Sequence, residues 1–159
     1  MSVKRMVFVC TGNTCRSVIA QALAKRLLEQ AGRADVSVDS AGVFAIAGMP
    51  ASRQTDAVLQ EAGLSCAAHR ATPLSAEMVR DADLLLAMER FHIEEILRRV
   101  PEASGKTHLL GAYGASEEDE RLVEIPDPIG KPLEVYEVCF RHIRDAVERV
   151  VKSLAVARE

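Results

Sequence analysis

Tryptophan is missing from this chain, and aromatic residues together make up only 4% of its 159 positions. That scarcity excludes an aromatic platform for stacking nucleic-acid bases. There is no basic excess either, since 20 Lys and Arg stand against 23 Asp and Glu for a net charge of -3. A nucleic-acid binder would show a basic patch or stripe, so no nucleic-acid partner is expected. Cys10, Cys15, Cys66 and Cys139 are too few and too scattered for a disulfide framework. The longest apolar stretch, Ala41 to Ala51, is broken by glycine and falls short of the ~20 residues that span a bilayer. No charged-then-apolar leader is recognisable. The expectation is a cytoplasmic chain with reduced thiols and no membrane attachment.

What is present suits one folding unit over residues 1–159. Nearly half the chain, 48%, is apolar, and a chain of this size hides roughly 68–70% of its unfolded surface. Met6 to Val9 is a solid apolar run closed by a glycine-containing turn, the mark of a buried strand. Ile19, Leu23, Leu27 and Leu28 then recur at helical spacing, with Gly32 as a stop. Val36 and Val38 alternate into Ser40-Ala41-Gly42 as a second strand. Helices are predicted for Thr55 to Ala62, from Ser75, and for Phe91 to Val100, where Pro101 ends the run. Leu84 to Leu86 and Thr107 to Leu110 supply a third and a weaker fourth strand. From Leu133 a long helix carries the stripe Tyr136, Phe140, Ile143, Val147, Val150 and Leu154. Strands alternating with helices predict an α/β fold, here a four-stranded parallel sheet flanked by helices. Such sheets bind ligands beyond the carboxyl ends of their strands.

The first such end reads Cys10-Thr11-Gly12-Asn13-Thr14-Cys15-Arg16-Ser17. It lacks the Gly-Lys-Ser/Thr ending of a nucleotide loop, yet it has the chemistry of an anion cradle. Successive backbone N–H groups at a helix start carry partial positive charge. Gly12 and Asn13 best tolerate the left-handed backbone that a nest of amides requires. Arg16 adds a planar, two-pronged grip on phosphate oxygens. A Cys10 thiol beside both is expected to have a lowered pKa and to attack phosphorus. Two bland readings compete: a small buried hydrophobe at Cys10, and a zinc site. Ligand spacing argues against zinc, because Cys10 and Cys15 have no second pair and no well-spaced His.

Cys-x5-Arg-Ser directly after an amino-terminal strand resembles the low-molecular-weight protein tyrosine phosphatases, and the resemblance covers nearly the whole chain. Asp127-Pro128 matches that family's general-acid loop, Val38 to Gly42 the end of its second strand, and His69 a histidine in a network under the loop. The resemblance implies Cys10, Arg16 and Asp127 as catalytic residues, with residues Thr11, Gly12, Asn13, Thr14, Cys15, Arg16 and Ser17 around the phosphate. It implies that Asn13, Ser17, Ser40 and His69 brace the loop by hydrogen bonds. It implies no metal and no cofactor, and a phosphorylated protein as partner of a monomeric or weakly dimeric chain. Taken alone, Asp127-Pro128 is also an ordinary turn opener.

Thr14 stands where tyrosine-directed members carry a bulkier aliphatic residue, and Ile129-Gly130 where aromatics often wall a phenyl ring. Thr14 and Ser40 to Phe44 resemble instead the protein-arginine phosphatase branch, making Thr14 and Phe44 the specificity candidates. Thr14 also has a bland reading, as a β-branched stiffener of the loop. Cys15 reads either as a redox guard forming a disulfide with Cys10 or as a packing thiol. Cys66 and Cys139 read as core fillers, too distant for the cysteine relay of an arsenate reductase. A non-catalytic phosphoprotein-binding module would have no need of the Cys10, Arg16 and Asp127 set. Val18 and Gln21 depart from the family's usual Pro and acidic residue, positions read as shaping the helix start. His92 reads as solvated on a charged helix, His108 and His142 have no evident partner, and Glu117 to Glu120 reads as a solvated loop.

Overall fold

A computed structural model describes residues 2–116 and 123–158, the last three as backbone. The acidic run Glu117 to Glu120 lies outside the described residues. Four parallel strands stand in the order β2-β1-β3-β4, where β1 is Arg5–Cys10, β2 Ser37–Gly42, β3 Leu84–Ala87 and β4 Thr107–Leu109. This is the expected layered sheet, with β4 one residue shorter than the sequence suggested.

Central β1 is buried on both faces, which is why it reads as a solid apolar run. Its side chains alternate between two cores. Met6, Phe8 and Cys10 pack towards α1 (Arg16–Gln30), α2 (Arg53–Glu61) and α5 (Leu133–Arg158). Val7 and Val9 pack towards α3 (Ala76–Asp81) and α4 (Arg90–Arg99). The period of two in a strand therefore decides which layer the Cys10 sulfur joins. Tyr136, Ile143, Val147, Val150 and Leu154 of α5 are buried in the first core, as their spacing predicted.

Local signals end the elements. Gly32, at φ +70°, follows the last turn of α1. Ser52 and Ser75 accept the amides of Thr55 and Met78 and so cap α2 and α3. Pro101 ends α4 and opens a 3-10 turn over Pro101–Lys106. At the carboxyl edge of the sheet, the ends of β1 and β2, the start of α1, the start of α4 and the segment around Asp127 converge. Gly42 makes that convergence possible. A Cβ there would lie 2.5 Å from the Thr11 carbonyl oxygen and 2.9 Å from the Asn13 nitrogen, so only glycine lets β2 run this close to the loop.

Candidate active site

The floor of the site is a directional chain of hydrogen bonds around one left-handed residue. Asn13 has φ +56°, the sole positive value outside glycine among the described residues. Gly12, expected to share that conformation, does not adopt it. Asn13 Nδ2 donates to Ser17 Oγ at 2.7 Å and to Ser40 Oγ at 2.9 Å, and Asn13 Oδ1 accepts the Thr72 amide at 2.9 Å. His69 Nε2 lies 2.7 Å from the Asn13 carbonyl oxygen, to which it donates. Because Ser17 Oγ accepts from Asn13, its own hydrogen is free for Cys10 Sγ at 2.8 Å. The Asn13 amide adds a second donor to that sulfur at 3.3 Å. Asn13, Ser17, Ser40 and His69 are thus brought together beneath Cys10.

Gln21 belongs to the same chain, although the sequence reading confined it to shaping the helix start. It accepts the Ser40 hydroxyl at 2.6 Å and donates to the Val38 carbonyl at 3.0 Å, tying α1 to β2. A cavity of about 520 Å³ borders this network and is lined in part by Gln21, Ser40, Cys66, His69 and Arg70. Cys66 is half-buried: it lines this cavity and also packs against the edge of the first core, so it fills the core only in part. Burial and neighbouring Asp56 push its thiol up to about 11. Cys139 is a core residue as expected, and burial pushes it up to about 12.

Arg16 is 1% exposed, a buried cation that needs partners. Nη1 donates to Glu89 Oε2 at 2.6 Å and to the Ile125 carbonyl at 2.7 Å. Nη2 lies 3.5 Å from Asp127 Oδ2 and 3.4 Å from Thr11 Oγ1. With both Nη1 hydrogens committed, the Nε and Nη2 edge is the one available for a two-pronged grip on an anion. Asp127 uses its two oxygens differently: Oδ1 accepts the Ile129 amide at 3.1 Å, as a turn opener does, while Oδ2 faces Arg16.

Burial raises the Cys10 thiol above its ordinary range, against opposing pulls from the Ser17 hydroxyl, the Arg16 charge and the Ser17 and Asn13 amides. The lowered value expected from the sequence is not met by this balance, because the sulfur sits among core side chains at 2% exposure. The N-terminal amides of α1 act in the same sense as Ser17, favouring a negative sulfur. Cys15 is buried and is held by Thr14 Oγ1, Ser52 Oγ and Tyr136 Oη at 3.7, 3.5 and 3.5 Å. Both loop cysteines are free thiols. The Thr14 carbonyl is fixed by the Ser52 amide and the Thr55 hydroxyl, each at 3.0 Å, which leaves its half-buried side chain at the loop surface.

His92 is not solvated. It is fully buried, with Nε2 2.8 Å from Thr11 Oγ1 and Nδ1 accepting the Glu89 amide at 3.0 Å. Burial and the Arg16 charge push it down to about 4. His108 has a partner too, stacking on Tyr113 with ring centroids 5.0 Å apart. Phe44 lies at the rim, 60% exposed, its amide donating to the Thr11 carbonyl at 2.9 Å. It is not the only wall there, because Phe91 leans on it with ring centroids 5.7 Å apart. Glu89, Phe91 and His92 all escaped sequence reading. The available signal was His92 four residues before buried Ile96, on the inner side of α4.

A parallel sheet carrying a cysteine and a buried arginine on one strand-to-helix loop defines a small α/β protein phosphatase, a hydrolase of phosphoester or phosphoamide bonds. More narrowly, the chain belongs to the low molecular weight phosphotyrosine protein phosphatase family, whose sequence model matches residues 5–159. It is 42% identical over 151 residues to a protein-arginine-phosphatase of Geobacillus stearothermophilus, covering 95% of this chain and 93% of that one. It is 35% identical over 150 residues to the low molecular weight protein-tyrosine-phosphatase Etp of Escherichia coli, covering 94% of each. The solved YwlE arginine phosphatase of Geobacillus stearothermophilus superposes with a TM-score of 0.85 at 39% identity, over 98% of this chain and 95% of that one. No helix among the described residues is long and apolar enough to cross a membrane.

Proposed function

We propose that this chain removes the phosphoryl group from phosphoarginine in proteins through a cysteinyl-phosphate intermediate. The observation that carries the reading is the convergence of the Cys10 sulfur, the Arg16 guanidinium and the Asp127 carboxylate on one amide-lined loop. The sulfur attacks phosphorus in line with the leaving nitrogen. The S–P bond forms as the P–N bond breaks, and Asp127 gives its proton to that nitrogen. Arg16 and the amides from Thr11 to Ser17 hold the three oxygens over which charge spreads. Asp127 then takes a proton from water, whose oxygen attacks phosphorus. The Cys10 thiolate leaves towards Ser17, whose hydrogen is already aimed at it. Asn13, Ser40 and His69 keep the loop in its left-handed turn.

Thr14 favours arginine over tyrosine, being a small polar wall beside a planar group rich in N–H donors, and Phe44 offers a face for that plane to stack on. The arginine phosphatase among the relatives supports the same choice. One observation favours the other family substrate, phosphotyrosine: the Phe44–Phe91 pair supplies an aromatic wall for a phenyl ring. Side-by-side rates on phosphoarginine and phosphotyrosine peptides decide between them, with Cys10→Ser abolishing both. Thr14→Ile is expected to move the ratio of the two rates towards phosphotyrosine by roughly tenfold, the worth of one charge-assisted contact. A ratio unchanged by Thr14→Ile removes the arginine assignment. Cys15 is read as a guard that closes a disulfide with Cys10 after peroxide has oxidised the latter to its sulfenic acid, with water as the product. Reductant-recoverable activity that persists in Cys15→Ser after peroxide would end that part of the reading.

A further inference from the structure

The hydroxyl of Thr11 has a fixed direction, and its direction follows from His92. The Glu89 backbone N–H donates to His92 Nδ1 at 3.0 Å, so Nδ1 holds a lone pair and no hydrogen. The ring hydrogen therefore sits on Nε2, which donates to Thr11 Oγ1 at 2.8 Å. Arg16 Nη2 approaches the same oxygen as a second, longer donor at 3.4 Å. A hydroxyl has two acceptor sites and one hydrogen. With both acceptor sites engaged, the hydrogen of Thr11 must leave in the remaining direction. Among the described residues no acceptor takes it. The oxygen stands at the Nη2 edge of Arg16, the edge that also faces Asp127.

We propose that Thr11 supplies a side-chain hydrogen bond to a phosphoryl oxygen bound in the loop, and that His92 is the positioning residue that aims it. This rests on the phosphate-binding reading of the loop and adds to the amides and Arg16 one donor that the backbone does not provide. The ring is suited to the task. It is wholly buried, lies against Phe91 at a centroid distance of 5.2 Å with the rings tilted by 51°, and is kept neutral by its surroundings. A neutral ring with one lone pair committed has a single tautomer, so it cannot turn from donor to acceptor and release the Thr11 hydrogen.

Calorimetric titration with inorganic phosphate tests the proposal on the whole chain, apart from turnover. Thr11→Val keeps shape and loses the hydroxyl, and phosphate is expected to bind about tenfold more weakly, the effect of one hydrogen bond to a charged acceptor. Thr11→Ser is expected to restore binding to within about twofold, since the donor returns. His92→Phe keeps a ring without nitrogens; it is expected to weaken phosphate several-fold in a chain that still carries Thr11, and to add nothing in the Thr11→Val background. Phosphate binding in Thr11→Val equal to that of the parent chain overturns the donor. Losses that multiply in the double variant overturn the role of His92. Should His92→Phe fail to fold, the Thr11→Val and Thr11→Ser pair decides the donor alone. Hydrolysis of an aryl phosphate is followed in parallel. Its absence from the parent chain, with the phosphate pattern intact, removes the catalytic reading and leaves the donor standing.

Discussion

The floor and the rim of the site are built in opposite ways. Every polar side chain of the floor is tied down: Asn13 bonds Ser17, Ser40 and the Thr72 amide, and Ser40 bonds Gln21. The rim consists of Phe44, Phe91 and Ile129, each at least 40% exposed, with tilted ring contacts of Phe91 to Phe44 and to His92. Buried polar networks specify one geometry because each missing partner is costly in a low dielectric. An exposed apolar rim carries no such penalty and can adapt to what it meets. Under the proposed function, the reacting Cys10 rests on the floor, and a substrate's side chain would meet the rim.

Asp127 bridges the two regions, so its substitution is the sharpest test. Asp127→Asn keeps the turn to Ile129 and removes the proton; kcat on phosphoarginine is expected to fall roughly 10²- to 10⁴-fold, the usual worth of a positioned acid. A fall of less than tenfold would show that the rim can replace it. Asn13→Ala breaks the floor. It puts a Cβ without a compensating amide at φ +56° and takes a hydrogen-bond partner from buried Ser17 and Ser40 and from the Thr72 amide. Denaturant unfolding should show a loss of about 3 kcal/mol, and a loss within 0.5 kcal/mol, about the scatter of surface substitutions, would show that the floor is no more rigid than the rim.

The floor also owns a titration. Folded His92 stands at about 4 against an ordinary 6.5, so the unfolded chain takes up its proton first as pH falls. The stability from keeping the ring neutral is complete above about pH 6.5 and is lost between 6.5 and 4, on the order of 3 kcal/mol. Asp35 and Asp83, held below the usual carboxylate range, act only at lower pH. His108 is lowered as well and contributes in the same window. Melting temperatures from pH 7 to 4.5 should therefore drop less steeply in His92→Phe than in the parent chain, and equal slopes would contradict a neutral buried ring. The smallest effect belongs to the rim. Phe91→Ala should change stability by about 0.5 kcal/mol or less, as for exposed positions, while KM for a peptide substrate rises a few-fold. A large stability loss would make Phe91 part of the floor.

The same division explains what could be read from sequence. Strands, helices and their stops follow local rules, so Gly32, Ser75 and Pro101 mark boundaries within a residue or two of where they fall. The floor is compact in sequence around residues 10–17, and its distant members Ser40 and His69 came with the family resemblance. What escaped comes from α4, more than 70 residues away from the loop. Glu89, Phe91 and His92 sit in a stretch rich in charge, and charge normally signals solvent. Only the three-dimensional approach of α4 to Arg16 turns Glu89 into a counter-ion and buries His92. Cys10 misled for a related reason. Proximity to Arg16 and a helix start is visible in sequence, whereas the depth of burial that opposes them is not.

Gly42 has a consequence for how the loop can be transplanted. The Thr11 carbonyl and the Asn13 nitrogen lie where its side chain would be, and Val43, just past the end of β2, donates its amide to the Cys10 carbonyl. The cradle is a cast taken between two strands, and half of the mould is a hydrogen atom on the second. An eight-residue graft of Cys10 to Ser17 onto another strand and helix would carry the chemistry's letters without its shape. The portable unit is the pair of strand ends, some thirty residues apart in the chain, with the glycine that lets them touch.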